Sequence, residues 1–216
     1  MIARGEPWGR PATGPPDREV HGDDAALAAA VRGAPGGLVR FVPADGSDVA
    51  RALGLRPGGT PRGTEVPMDA LVLGDGTWAV NAVVVGTAPD RCTRLTRRRP
   101  LRVTVDGRPL FDGRATGVVV ATGQWLRGGD VAPRGHPGDG RAEVQVYRLG
   151  PAERAAMRAR LATGTHVPHP RIVQAAAAAV EIVADRPLPV EVDGRPHPAA
   201  ARLEARIVPG AYRLLL

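Results

Sequence analysis

The sequence contains no lysine: all 29 of its basic residues are arginine. It has a single cysteine, Cys92, and only 3% aromatic residues. No apolar run approaches the ~20 residues that a membrane helix requires. Each scarcity excludes something. One cysteine cannot form an intrachain disulfide, which fits a reducing, cytoplasmic setting. With so few aromatics the core must rest on Val, Leu, Ile and Ala. The lack of aromatics interleaved with basic residues also disfavours nucleic acid as a partner. The opening MIARGEPWGRPATGPP has no apolar centre, so no signal peptide is expected there.

What is present suffices for a folded chain. Its 216 residues are 43% apolar, enough for one large domain or two small ones with a buried core. The 28 Gly and 22 Pro favour many short strands and turns over long helices. The formal charge is +7. A bias towards GC-rich codons accounts for arginine over lysine, but not for the positive sign. That sign points to an anionic ligand: a phosphate group or an acidic lipid surface.

Along the chain, residues 1–19 read as an irregular arm. Asp23 and Asp24 precede AALAAAVRG, a short helix stopped by the Gly33-Ala34-Pro35-Gly36 stretch. LVRFV (38–42) reads as a buried strand, and Ser47 or Asp48 caps a second short helix closed by Gly54. RPGGTPRGTEVP (56–67) reads as a linker. The runs ALVL, TWAVNAVVV, LRVTV, TGVVVAT, AEVQVYRL, AVEIVA, LPVEV, RLEARIV and YRLLL then suggest strands, with hairpin turns at Asp106-Gly107 and Asp193-Gly194. Asp75-Gly76-Thr77 is also a turn candidate. One helix interrupts the strands, from Pro151 to Gly164. Its apolar stripe holds Met157 and Leu161, and Arg154, Arg158 and Arg160 are expected on a solvated face. The expected fold is therefore α+β: a reduced α/β fragment over 20–62, then a β-rich, sandwich-like lobe over 63–216.

Five stretches line up in order with one family. GQWLRGGDVAPRGHPGDGRAEVQV (123–146), GTHVPHPRIVQ (164–174), VEVDGRPH (190–197) with RIVPGAYRLLL, RFVPADGSDVARALGL (40–55) and HGDDAALAAAV (21–31) resemble motifs of the diacylglycerol kinase-like lipid kinases, which include bacterial lipid kinases and sphingosine kinases. The resemblance spans roughly residues 20–216. It implies an α/β lobe binding ATP, a β-rich lobe completing a lipid site, and phosphoryl transfer to a lipid hydroxyl. It places His21, Gly22, Asp23, Asp24 and Ala25 at the family's GGDGT phosphate cradle, and Gly46, Ser47 and Asp48 in its second nucleotide motif. Asn81 and Asp90 fall at cleft positions. It also implies a structural Mg²⁺, held by the Asp139 side chain and the carbonyls of His136 and Arg141; oxygen donors on a tight loop suit such a cation.

The sequence departs from the family where chemistry needs it. Asp24 replaces a cradle glycine, Ala25 replaces the threonine, and Arg195 stands where the family has the glutamate regarded as the base. An arginine cannot act as a base. These changes argue against ATP binding and for impaired or absent kinase activity. The alternative is a non-catalytic module binding an anionic lipid or a protein partner. A glutamate close to Arg195 in space, such as Glu191 or Glu204, would instead favour an active enzyme. His166 and His169 are expected to be structural rather than zinc ligands. Arg97-Arg98-Arg99 is the densest basic cluster, and an acidic membrane surface is its functional reading, which would make the protein membrane-peripheral.

Overall fold

The computed structural model describes residues 7–59 and 63–216. In chain order its elements are β1 (Arg10–Pro11), β2 (Arg18–Gly22), α1 (Asp24–Gly33), β3 (Leu38–Pro43), α2 (Asp48–Leu53), β4 (Thr64–Leu73), β5 (Trp78–Ala79), β6 (Ala82–Gly86), a 3-10 turn (Pro89–Arg91), β7 (Arg99–Val105), β8 (Arg108–Ala115), β9 (Gly117–Ala121), β10 (Trp125–Leu126), β11 (Gly129–Asp130), β12 (Ala142–Tyr147), α3 (Glu153–Leu161), β13 (Ile172–Ala177), β14 (Ala179–Val192) and β15 (Arg195–Leu215). The fold is α+β, with a β-rich sandwich-like lobe.

Among the described residues, thirteen strands form one mostly antiparallel sheet. Its spine runs β1-β4-β15-β14-β6-β9-β12-β13. The short α/β fragment is not a separate sheet. Strand β3 pairs in parallel with the end of β15 at Arg213 and Leu214, and β2 pairs in parallel with β3. The YRLLL segment, expected in the β-rich lobe, therefore serves both layers. The reason is burial. Val20, Leu27, Val31, Phe41, Val66, Met68, Tyr212 and Leu214 form one core beneath α1 and α2, so the small layer needs the far ends of β4 and β15 to close it. A larger Val-rich core, with Val83, Val103, Val118, Val120, Val144 and Ile182, fills the β-rich lobe.

Local chemistry explains the element ends. Asp23 caps α1 by accepting from the Ala26 N–H at 3.0 Å, and Ser47, rather than Asp48, caps α2 through the Ala50 N–H at 3.0 Å. Gly54 ends α2 in the left-handed conformation. Asp106-Gly107 and Asp193-Gly194 both have positive φ at both residues, as a tight two-residue hairpin demands. Asp75-Gly76 turns between β4 and β5.

Several expectations need correction. The arm is not irregular throughout, because β1 pairs with β4 and β2 begins at Arg18. The 56–67 stretch ends inside β4, whose first residues pair with Leu214 and Leu215; residues 60–62 of that stretch and 1–6 of the arm lie outside the described residues. TWAVNAVVV is two strands, because the N–H groups of Val80, Asn81 and Ala82 turn to Asp193. AVEIVA and LPVEV are one strand with bulges, as are RLEARIV and YRLLL. RPLFDGRA is a strand that its Pro and Gly concealed. Arg154 is buried, not solvated: it donates to the carbonyls of Thr93, Arg94 and Leu149. No described helix is long and apolar enough to cross a membrane.

Candidate functional site

A cavity of about 240 Å³ opens where the starts of α1 and α2 meet the 126–127 loop and the 193–195 turn. Its lining holds five carboxylates, Asp23, Asp24, Asp45, Asp48 and Asp193, against two guanidinium groups, Arg127 and Arg195. A larger groove of about 360 Å³ lies elsewhere, across β4, β7, β14 and β15. Its wall is mainly apolar, and among its charged groups Glu181, Arg202 and Glu204 are paired with one another. The smaller cavity gathers Asp23, Asp24, Gly46 and Asp48 from the two helix starts, so it is the chemical candidate.

Asp24 is the central residue. It is 6% exposed and accepts from the Ser47 hydroxyl at 2.5 Å, the Asp48 N–H at 3.0 Å and the Val49 N–H at 3.4 Å. Its carboxylate thus takes the donors at the start of α2. Burial pushes its pKa up, and these hydrogen bonds oppose the rise. Asp48 in turn accepts from the Arg127 N–H and from the Gly128 N–H at 2.8 Å, tying α2 to the β10–β11 loop. Burial raises its pKa as well, against the same two backbone donors.

Asp193 anchors the other wall. It accepts from the N–H groups of Val80, Asn81 and Ala82 at 2.8–2.9 Å. Burial pushes its pKa up to about 7 despite these donors. The Asn81 side chain donates to the Trp125 carbonyl at 3.1 Å, so this cavity residue is held by backbone.

The next residue but one, Arg195, donates to Asp23. Desolvation raises the Asp23 pKa, but the Ala26 N–H and Arg195 outweigh it and the net shift is downward. Arg127 closes the far side. It holds Asp90 through two hydrogen bonds of 2.9 and 2.7 Å and also donates to Glu191. The second Glu191 oxygen takes Arg91 at 2.8 Å. Glu191 lies opposite Pro196 in the hairpin, whereas Arg195 lies opposite Val192, so the two side chains leave on opposite faces. Glu204 is bound by Arg202. Neither glutamate stands in for a base beside Arg195.

The other expected residues divide between positions. Gly46 lines the cavity, and Ser47 is buried beside it, donating to Asp24; Gly22 has positive φ, and a Cβ there would meet the Ala26 Cβ at 2.9 Å. His21 is exposed and bonded to Glu19 at 2.7 Å, away from the lining. Ala25 carries no hydroxyl that could replace the missing threonine. His136, Asp139 and Arg141 share one turn against Asp69, also outside the cavity. The Asp139 carboxylate accepts from the Arg141 N–H at 3.0 Å, the His136 ring accepts from the Gly138 N–H at 3.2 Å, and Asp69 accepts from the Gly140 N–H at 2.6 Å. Oxygen donors are available there for a hard cation, but no group of three or more His, Cys, Asp or Glu side chains could hold a metal among the described residues. His166 is buried, and one ring nitrogen lies 3.0 Å from the Val131 carbonyl.

Sequence reasoning missed Arg127, Asp69 and the role of Asp193. Arg127 was visible only as an arginine before a Gly-Gly pair. Its positive φ and its two acidic partners depend on the folded chain.

No curated protein matches the sequence. Among solved structures, one described as a diacylglycerol kinase from Bacillus anthracis str. Sterne is similar with a TM-score of 0.73 at 16% identity, over 92% of this chain and 76% of that one. An NAD kinase from Archaeoglobus fulgidus in complex with ATP is similar at a TM-score of 0.54 and 13% identity, over 93% of this chain and 78% of that one. Yeast NADH kinase complexed with NADH reaches 0.53 at 13% identity, over 92% and 61%. Residues 81–216 match the family described as the YegS C-terminal NAD kinase beta sandwich-like domain. The chain therefore belongs to that family, with the fold of the diacylglycerol kinase-like lipid kinases.

Proposed function

We propose that this chain is a lipid-kinase-family protein in which ATP-dependent phosphorylation of a lipid hydroxyl is impaired or absent. One observation carries the reading: the Asp24 carboxylate occupies the hydroxyl and amide donors at the start of α2. A nucleotide phosphate entering there would have to displace an anion that belongs to the chain itself. The cavity's five carboxylates against two guanidinium groups add repulsion towards a polyanion. Arg195 cannot take a proton from a hydroxyl, and it already neutralises Asp23. General-base help is often worth ~10²–10⁴-fold, so its loss alone would leave a slow enzyme. Loss of the phosphate donors as well removes positioning, on which phosphoryl transfer mainly depends.

A structural Mg²⁺, if retained, would be held by Asp139 with the carbonyls of His136 and Arg141. It would supply local charge neutralisation and brace that turn against β4. The alternative to a slow kinase is a non-catalytic module that binds an anionic lipid or a protein partner.

Calorimetric titration with Mg-ATP, repeated with Mg²⁺ alone, is the first test. No saturable ATP binding is expected. Radiolabelled ATP with a panel of diacylglycerol and sphingoid lipids should give no enzyme-dependent phospholipid. Turnover that disappears on changing Asp139 or the residues around His21 would overturn the proposal.

A further inference from the structure

Leu95 is 90% exposed, while the next most exposed large hydrophobic side chain among the described residues, Val183, reaches 37%. A single exposed leucine is ordinary. The construction beneath this one is not. The loop after the 3-10 turn is held from below by α3: Arg154, 2% exposed, donates to the Thr93 and Arg94 carbonyls at 2.7 and 3.1 Å, and Arg158 donates to the Cys92 carbonyl. From within, the Thr96 hydroxyl accepts from the Thr93 N–H at 2.9 Å, and the Thr93 hydroxyl accepts from the Leu95 N–H at 3.3 Å. Every residue from Cys92 to Leu95 thus has its backbone tied down, and Leu95 is the large apolar side chain of that stretch left in water.

The surroundings are cationic. Arg94, Arg97 and Arg98 flank Leu95 and are exposed. Arg114 donates to the Arg98 carbonyl at 2.9 Å, Arg98 reaches the Arg148 carbonyl at 3.5 Å, and Arg158 sits beneath Cys92. Neighbouring carboxylates are committed elsewhere: Glu191 to Arg91 and Arg127, Asp112 to Arg102, and Glu153 to Arg171. Arg94, Arg97, Arg98, Arg114, Arg148 and Arg158 therefore have no carboxylate partner among the described residues. One apolar side chain fixed on a preordered tip, with long arginines around it, matches the layering of a bilayer surface. The leucine enters the acyl boundary and the guanidinium groups stay at headgroup level.

We propose that the Cys92–Arg98 loop, braced by Arg154 and Arg158 and flanked by Arg114 and Arg148, docks the protein on an anionic lipid bilayer. The attraction is reversible, because one apolar anchor and a basic patch supply limited affinity. The inference is independent of whether the cavity transfers phosphoryl groups. Arg91, just before this loop, nevertheless links it through Glu191 and Arg127 to the cavity wall.

Flotation of the full chain with phosphatidylcholine vesicles, with and without phosphatidylserine, tests it at low and high salt. Binding is expected only with phosphatidylserine and should fall as salt rises. The double variant Arg97→Glu/Arg98→Glu should bind at least about tenfold more weakly, since each arginine near an anionic surface contributes roughly fivefold. Leu95→Ser should lose roughly tenfold at low salt while keeping the salt dependence. The control Arg32→Glu/Arg56→Glu changes net charge equally and should bind like the original chain. No binding to anionic vesicles would overturn the proposal. So would equal losses in the two double variants, an inert Leu95→Ser, or salt-dependent capture of duplex DNA in preference to vesicles.

Discussion

The two cores of this molecule are built differently. The β-rich lobe closes on Val, Ala, Leu and Ile from both faces of a folded-over sheet, and its polar groups are mostly backbone already paired in ladders. The α/β corner is smaller and one-sided. Helices cover one face of β2 and β3, and the other face carries the charged ladder of Glu19, His21 and Arg40. Around that corner, buried carboxylates cap backbone amides: Asp24 on α2, Asp48 on the 127–128 loop, Asp193 on the β5–β6 break, and Asp69 on Gly140 and Gly210. The lesson is that apolar burial suffices where strands can pair. Where helices, a loop and a broken strand meet, the unpaired N–H groups need acceptors, and aspartate supplies them.

The largest effect is expected at Asp193. Asp193→Ala would orphan three buried N–H groups and should cost about 3–5 kcal/mol in urea unfolding. A small effect would mean that water satisfies the break and the carboxylates are not structural. For contrast, Leu71→Ala in the β-rich core should cost about 2–5 kcal/mol through its cavity alone. Unlike the Asp193 change, it should leave the pH dependence of stability unaltered.

The pH dependence of stability also separates the two cores. The Asp193 pKa stands at about 7 in the folded chain against an ordinary 3.8. Between these values the folded state binds more protons than the unfolded state. Its contribution is therefore fully present below about pH 4 and is lost as pH rises through about 7. Asp24, Asp48 and Asp69 are shifted in the same direction, by burial. His166 acts oppositely, because burial lowers its pKa from 6.5 and stability is lost as pH falls. The informative quantity is thus the difference between the chain and Asp193→Asn. The thermal midpoint of the unaltered chain should gain several degrees relative to the variant on going from pH 8 to pH 5. A pH-independent difference would sink the assignment.

Asp24→Gly tests the corner's chemistry rather than its stability. It empties the acceptor from the start of α2, and Mg-ATP affinity measured by calorimetry should rise relative to the unaltered chain. An unchanged thermogram would show that the acidic remainder of the cavity, not Asp24, excludes nucleotide. The smallest effect is expected at Arg195→Ala. Its partner contact with Asp23 is largely exposed, so stability should change by about 1 kcal/mol or less.

Much of this was legible in the sequence because it rests on local rules. The caps at Asp23 and Ser47, the stop at Gly54 and both Asp-Gly hairpins follow from what those residues do to their own backbone. The ordered motifs led to the family that residues 81–216 match. Where the reading failed, a distant partner was responsible. TWAVNAVVV looks like one strand until Asp193, more than a hundred residues later, takes three of its N–H groups. Arg154 reads as a surface cation until the 93–94 carbonyls bury it.

Most element types, the strand-rich composition, the substitutions at Asp24 and Arg195, and the positive charge can be read without the fold. These depend on residue identity and on neighbours a few positions away. The folded chain was needed to show that Asp24 fills the donors at α2, that Glu191 is bound to Arg127 and Arg91 and faces away from Arg195, and that Leu95 stands alone on a braced, basic tip. Hydrogen bonds and ion pairs act over a few ångströms, and which groups come that close depends on how the whole sheet closes.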